Sequence, residues 1–254
     1  ISYFWNGENE AQLVYNFALP PLVLHTFRTG DASRLSRWAS ELKLPSSQTT
    51  FFNFLASHDG IGLNPARGIL YAADMDALVE QTLAHGGLVS YKQNSDGTQS
   101  PYEMNINYFD ALSNPFSDEP LETQINRFLA AQAMMLSLIG LPGIYFHSLF
   151  GSRNWAEGVR VTKHNRTINR QKLVRMELEE QLNDQTSLRL QVFARFRHLL
   201  LARSSSAAFH PHGSQKVVDV GNNIFALSRS SPDGTKNVLC LQNVTPQEQR
   251  IENL

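Results

Sequence analysis

The stretch Asn53-Phe-Leu-Ala-Ser-His-Asp-Gly-Ile-Gly62 decides how the rest of the chain is read. It continues Thr49-Thr-Phe-Phe-Asn-Phe-Leu55, a run rich in aromatic and β-branched residues that reads as a buried strand. Ala56-Ser-His-Asp-Gly60 then breaks the run with a polar turn. Strand, polar loop and helix in succession is the rhythm of an α/β fold, where chemistry gathers at the C-terminal ends of strands. Taken alone, His58-Asp59 is a weak signal, because a His-Asp pair in a loop is more often structural than catalytic.

Outward from that stretch the pattern stays α/β. Ala11–Phe17 reads as a short buried strand closed by Pro20-Pro21, which cannot continue a ladder. A helical stretch follows to about Leu44. From Ile61 to about Asp118 the pattern loosens, with a short helix at Ala73–His85 and turn signals at Asn94-Ser-Asp-Gly-Thr98 and Ser100-Pro101. A connection of this length is functional or forms a subdomain of its own. Ile125, Phe128, Ala131, Met135 and Leu138 then recur every three or four residues, one face of an amphipathic helix that stops at Gly140. Leu141-Pro-Gly-Ile-Tyr-Phe146 predicts a third buried strand. Another helix is expected over Thr186–Arg203, with Leu188, Val192, Phe196 and Leu199 on one face. Beyond Gly213 the spacing predicts a β-meander, with strands at Val217–Val220, Ile224–Arg229 and Asn237–Asn243.

Composition narrows the function classes. Among 254 residues, 22 Lys and Arg face 23 Asp and Glu, which argues against broad binding to nucleic acid or an acidic membrane, since that needs a clustered positive field. A small local anion site remains allowed. No apolar run approaches the ~20 residues of a membrane span. The lone Cys240 lies in the apolar run Asn237–Leu241 and reads as a small core residue, which fits a reducing, cytoplasmic compartment. His210-Pro-His212 lacks the further ligands of a zinc site, so no metal is expected. Asn165-Arg-Thr167 and Asn243-Val-Thr245 match the glycosylation sequon but carry no meaning in the cytoplasm. The sequence begins with Ile1 rather than Met, so the natural N-terminus is expected upstream.

Asn53 to Gly62, with His-Asp-Gly-Ile-Gly at its end, resembles the strand-seven motif of the α-amylase superfamily (glycoside hydrolase family 13), in its sucrose-phosphorylase-like subfamily. Other matches run in family order. Ala11-Gln-Leu-Val-Tyr15, with Leu19-Pro-Pro-Leu22 behind it, resembles strand six. Tyr102-Glu-Met-Asn105 through Tyr108-Phe-Asp-Ala-Leu112 resembles the acceptor-side loop. Leu141-Pro-Gly-Ile-Tyr145 resembles strand eight, and Gly151-Ser-Arg-Asn154 with Arg166-Thr-Ile-Asn-Arg170 resembles the loop beyond it. Ser100-Pro-Tyr-Glu103, Asn64-Pro65 and Gly151–Asn154 look most like the glucosylglycerate phosphorylases of that subfamily, since sucrose phosphorylases usually carry Gln where Glu103 stands. Ile139 departs from the family where relatives often have Pro, and Trp5 where Gly is common.

The resemblance implies the C-terminal part of a (β/α)8 barrel. Residues 1–60 would carry strands six and seven, 61–118 an inserted subdomain with the acceptor loops, 119–212 strand eight and the closing helices, and 213–254 a truncated C-terminal β-domain. It implies a retaining α-glucosyl phosphorylase with phosphate as co-substrate and no cofactor. The aspartate nucleophile and glutamate acid/base would lie upstream of Ile1, in the N-terminal half of the same barrel. Such chemistry uses two carboxyls roughly 5–5.5 Å apart. The family adds a third carboxyl that grips the glucosyl hydroxyls, and Asp59 matches it, with His58 donating to a ring hydroxyl. Alternatively, the pair is a turn that caps the next helix. Arg170 matches a position near the acceptor and would fork onto phosphate or a carboxylate, or it is a surface Arg near a helix start. Tyr102 and Glu103 match the acceptor loop, where Glu103 could also be a solvated carboxylate. Glu103 is expected opposite the basic Arg153, Lys163 and Arg170 of the facing loop. Sucrose phosphorylase, α-glucoside hydrolase and a non-catalytic amylase-like subunit are the competing readings.

Overall fold

The computed structural model describes residues 11–44 and 46–251, so Trp5 lies outside the described residues. In chain order it runs β1 (Leu13–Tyr15), α1 (Leu19–Thr29), α2 (Ser33–Ser40), β2 (Thr50–Phe54), β3 (Ile61–Gly62), α3 (Ala72–Ala84), β4 (Leu88–Gln93), β5 (Gln99–Asn105) and α4 (Tyr108–Leu112). There follow α5 (Leu121–Ser137), β6 (Leu141–Gly143), α6 (Phe146–Leu149), α7 (Ala156–Thr162), α8 (Arg175–Asn183) and α9 (Leu188–Ser204). The last strands are β7 (Ser214–Val217), β8 (Ile224–Ser230) and β9 (Asn237–Asn243). The chain divides into two units, and it passes between them after β2, within α5, after β6 and within α9.

The first unit holds the described residues up to Phe54, Ala130–Gly143 and those from His198 on. Its parallel sheet has the order β1-β2-β6, with Leu13 beside Thr50 and Phe52 beside Leu141. Parallel pairing needs crossovers, and the first is α1–α2. Pro20 and Pro21 do not close a strand. They sit in the first turn of α1, where a missing N–H costs nothing. The expected single helix is two, because Gly30 takes a left-handed conformation (φ 66°) and its N–H closes α1 onto the Thr26 carbonyl. The antiparallel sheet β7-β8-β9 is the predicted meander, but its first strand comes earlier than expected. Ser214 pairs with Ser230 and Val217 with Leu227, whereas Asp219 turns the chain by accepting the Gly221 N–H. Cys240 on β9 is half-buried, and that burial pushes its thiol pKa up.

The second unit comprises Leu55–Leu129 and Ile144–Arg197. Its antiparallel sheet has the order β3-β5-β4. Asn94–Thr98 is the expected turn, tied by the Asp96 carboxylate to the Thr98 N–H and hydroxyl. Ser100-Pro101, read as a turn, instead lies inside β5. Ser90 pairs with Glu103 but Tyr91 with Pro101, so Tyr102 is the extra residue of a bulge. Proline has no N–H for the ladder, and a bulge is where a strand tolerates that. The apolar face foreseen on α5 is fully buried, at Ile125 and Phe128 in this unit and at Ala131 and Met135 in the first.

Candidate active site

The turn Ser57–Gly60 follows β2 along the chain and belongs to the second unit. Hydrogen bonds fix its backbone. The Asp59 N–H donates to Ser57 Oγ (3.0 Å), and the Asn169 side-chain amide donates to the carbonyls of Ser57 (3.1 Å) and Asp59 (2.9 Å). Gly60 is required sterically, since a Cβ there would lie 2.6 Å from both Glu103 Cγ and the Met104 carbonyl oxygen. The alternative in which His58-Asp59 caps a helix is not what forms, because the two-residue strand β3 follows the turn.

Facing the turn is a 3-10 segment, Asn165–Asn169, ending at Arg170. Asn107 anchors it, its side-chain amide donating to the carbonyls of Arg153 (2.7 Å) and Ile168 (3.2 Å), and the Tyr145 hydroxyl donates to the Asn169 carbonyl (2.8 Å). Both arginines of the segment reach the turn. Arg170 Nε donates to the His58 carbonyl (2.5 Å) and Nη2 to Asp59 Oδ1 (3.3 Å). Arg166 donates through Nη1 to the same Oδ1 (2.7 Å) and forks onto Glu103, with Nε to Oε1 at 2.9 Å and Nη2 to Oε2 at 2.6 Å. The Glu103 hydrogen bond and charge raise the Arg166 pKa, with Asp59 adding to the effect.

Two carboxylates and two guanidiniums thus form one neutral cluster. The Asp59, Arg166 and Arg170 side chains are each about 40% exposed, whereas that of Glu103 is 7% exposed. Among the described residues no side chain or backbone N–H donates to Asp59 Oδ2, which leaves it available to a ligand. His58 is exposed, with Nε2 3.6 Å from Asp59 Oδ1.

Comparisons with known proteins place the chain as a whole. No model of a protein family matches the chain. It is 50% identical over its full length to glucosylglycerate phosphorylase of Allomeiothermus silvanus, covering 45% of that protein. It is 52% identical over 98% of its length to glucosylglycerate phosphorylase of Spirochaeta thermophila, covering 42% of that one. The structure superposes on crystalline sucrose 6F-phosphate phosphorylase from Thermoanaerobacter thermosaccharolyticum with a TM-score of 0.77 at 23% identity, over 96% of this chain and 45% of that one. Over its whole length the chain is similar to the sucrose-phosphorylase-like subfamily of the α-amylase superfamily, and it spans under half the length of these relatives. Its fold is the matching portion of the superfamily's (β/α)8 barrel enzymes.

Against the superfamily pattern, His58, Asp59, Tyr102, Glu103 and Arg170 lie on the facing segments Ser57–Gly60, β5 and Asn165–Arg170. Glu103 is buried and paired, so it is no solvated loop carboxylate. Of the basic residues expected opposite it, Arg153 goes elsewhere, to Asp110 Oδ1 (2.8 Å) and the Gln124 side-chain oxygen (2.7 Å). Lys163 is exposed at the end of α7 in a left-handed conformation (φ 60°). The cation that meets Glu103 is Arg166, which sequence reasoning did not single out. The available signal was its place in the run Arg166–Arg170, which puts two cations on one short segment.

Proposed function

We propose that this chain is the C-terminal part of a retaining α-glucosyl phosphorylase that moves glucose from glucosylglycerate to phosphate, giving α-glucose 1-phosphate. The observation that carries the reading is Asp59 presenting a free carboxylate oxygen beside two arginines, with glucosylglycerate phosphorylases as full-length matches to the chain. In this reading Asp59 grips glucosyl hydroxyls with hydrogen bonds that tighten as the ring flattens, and so favours the transition state. His58 donates to a ring hydroxyl. Tyr102 and Glu103 belong to the acceptor side, and Arg170 offers its remaining N–H groups to phosphate or to the acceptor carboxylate. Inorganic phosphate is the co-substrate, with no metal or organic cofactor.

Residues 1–60 would supply barrel strands six and seven and 119–212 strand eight, with 61–118 as the inserted subdomain and 213–254 opening the β-domain. The nucleophile and acid/base would come from the N-terminal half of the same barrel, so the 254-residue segment alone is expected to release no glucose 1-phosphate. Sucrose phosphorylase and α-glucoside hydrolase are the runner-up activities. The deciding experiment supplies the full-length protein with glucose 1-phosphate and, in parallel, glycerate, fructose, glycerol or water. Highest catalytic efficiency with glycerate supports the reading. A preference for fructose replaces it with sucrose phosphorylase, and transfer to water alone with a hydrolase.

A further inference from the structure

We propose that Glu103 is a positioning residue that acts through Arg166 on Asp59, rather than a group that touches the acceptor. The proposal rests on the glucosyl-transfer reading of the site given above. Three observations lead to it. Both Glu103 oxygens are taken by the Arg166 fork, the two-point geometry that fixes a guanidinium in plane as well as in position. The Glu103 side chain is 7% exposed, and the backbone of Gly60 packs onto it so closely that even a Cβ would meet its Cγ and Cδ at 2.6 and 2.9 Å. That leaves no approach for an acceptor from the turn side. The plane set by the fork aims the third donor, Nη1, at Asp59 Oδ1. With Arg170 on the same oxygen, Oδ1 is held by two cations and Oδ2 is left to face a sugar hydroxyl.

Charge explains why a glutamate and not a glutamine suits this role. A glutamine offers one acceptor oxygen and would set its amide N–H groups against those of Arg166, donor against donor. The fork would open, and Arg166 would lose the plane that directs it to Asp59. Glu103 also balances the charge of Arg166, so the cluster leaves Arg170 as the cation with spare donors near the acceptor.

The test separates positioning from acceptor contact. In the full-length protein, Glu103→Gln and Arg166→Lys are assayed for transfer of glucose from glucose 1-phosphate to water, and separately to glycerate. Water makes none of the contacts of a bound acceptor. A positioning role therefore lowers both turnover rates by the same factor, about tenfold or more, while KM for glycerate moves less than about threefold. Retained transfer to water with a raised KM for glycerate overturns the proposal. The bridge is also read without activity, from the melting of Glu103→Gln, Arg166→Met and the double variant. Non-additive losses support the pairing, and additive losses overturn it. If the wild-type protein transfers glucose to nothing, the proposed function falls, and the melting cycle alone decides the Glu103–Arg166 bridge.

Discussion

The Asn16 side chain donates its amide to the Asn53 side-chain oxygen at 2.6 Å, and Asn53 donates onward to the Ile139 carbonyl at 2.9 Å. All three residues are buried, so this chain of amides ties the ends of β1 and β2 to Ile139, two residues before β6. Paired in this way, the amides help set the register of a parallel sheet whose strands have no hairpin to fix it.

Asn53→Ala should therefore destabilise the protein well beyond its small change in volume. It leaves the Asn16 amide and the Ile139 carbonyl unpaired in the core, at about 1–3 kcal/mol for each group. Chemical unfolding of the full-length protein measures this, and a change within error would show that water or a shifted side chain satisfies both groups.

Asp59→Asn should lower turnover by about a hundredfold or more while shifting the melting temperature little. The side chain is 42% exposed, and ion pairs at that exposure contribute about 0–1 kcal/mol. Near-wild-type turnover would make Asp59 a structural residue.

Gly60→Ala should damage the site from behind. The new methyl would sit 2.6 Å from Glu103 Cγ and from the Met104 carbonyl oxygen, so the turn and β5 must separate. Overpacking of this kind costs about 1–3 kcal/mol. Turnover should fall along with the melting temperature, in contrast to Asp59→Asn. Unchanged stability would mean that the turn moves freely.

Asp110 gives a pH signature. Burial raises its carboxyl pKa above the ordinary 3.8, outweighing the Asn154 N–H at 2.7 Å and Arg153 at 2.8 Å. A folded pKa raised above the unfolded one means that the contribution of this group is fully present below pH 3.8 and is lost as pH rises through the raised value. Asp110→Asn cannot titrate. The unfolding free energy of wild type minus that of the variant should thus fall as pH rises across this window. Denaturant titrations at several pH values measure it, and a difference that grows with pH would reverse the assignment.

Local pattern carried much of the fold. The apolar spacing of α5, the aromatic run of β2 and the turn at Asn94–Thr98 were each legible because they depend on residues close in sequence. Boundaries failed where a local signal had two outcomes. Pro20-Pro21 can end a strand or open a helix, and Pro101 can mark a turn or sit in a bulge. Arg229 was hidden for a related reason. It is the last residue of an expected strand and carries a charge, yet it is fully buried. It donates to the carbonyls of Ser137 (2.9 Å), His210 (3.0 Å) and Ser214 (3.0 Å), and burial lowers its pKa to about 10.

The sequence by itself determined the likeness to the superfamily, the ordered motifs and the residues His58, Asp59, Tyr102, Glu103 and Arg170 as the ones to examine. Only the tertiary structure decided which charge meets which. Glu103 and Arg166 are 63 positions apart, and Arg166 and Asp59 are 107 apart. No helical or strand period couples residues at such separations. Their meeting is set by the bulge at Tyr102, by the Asn107 anchor on the 3-10 segment and by the missing side chain of Gly60. Each of these is a packing event, and an ion pair forms only where packing has already brought its two groups within reach.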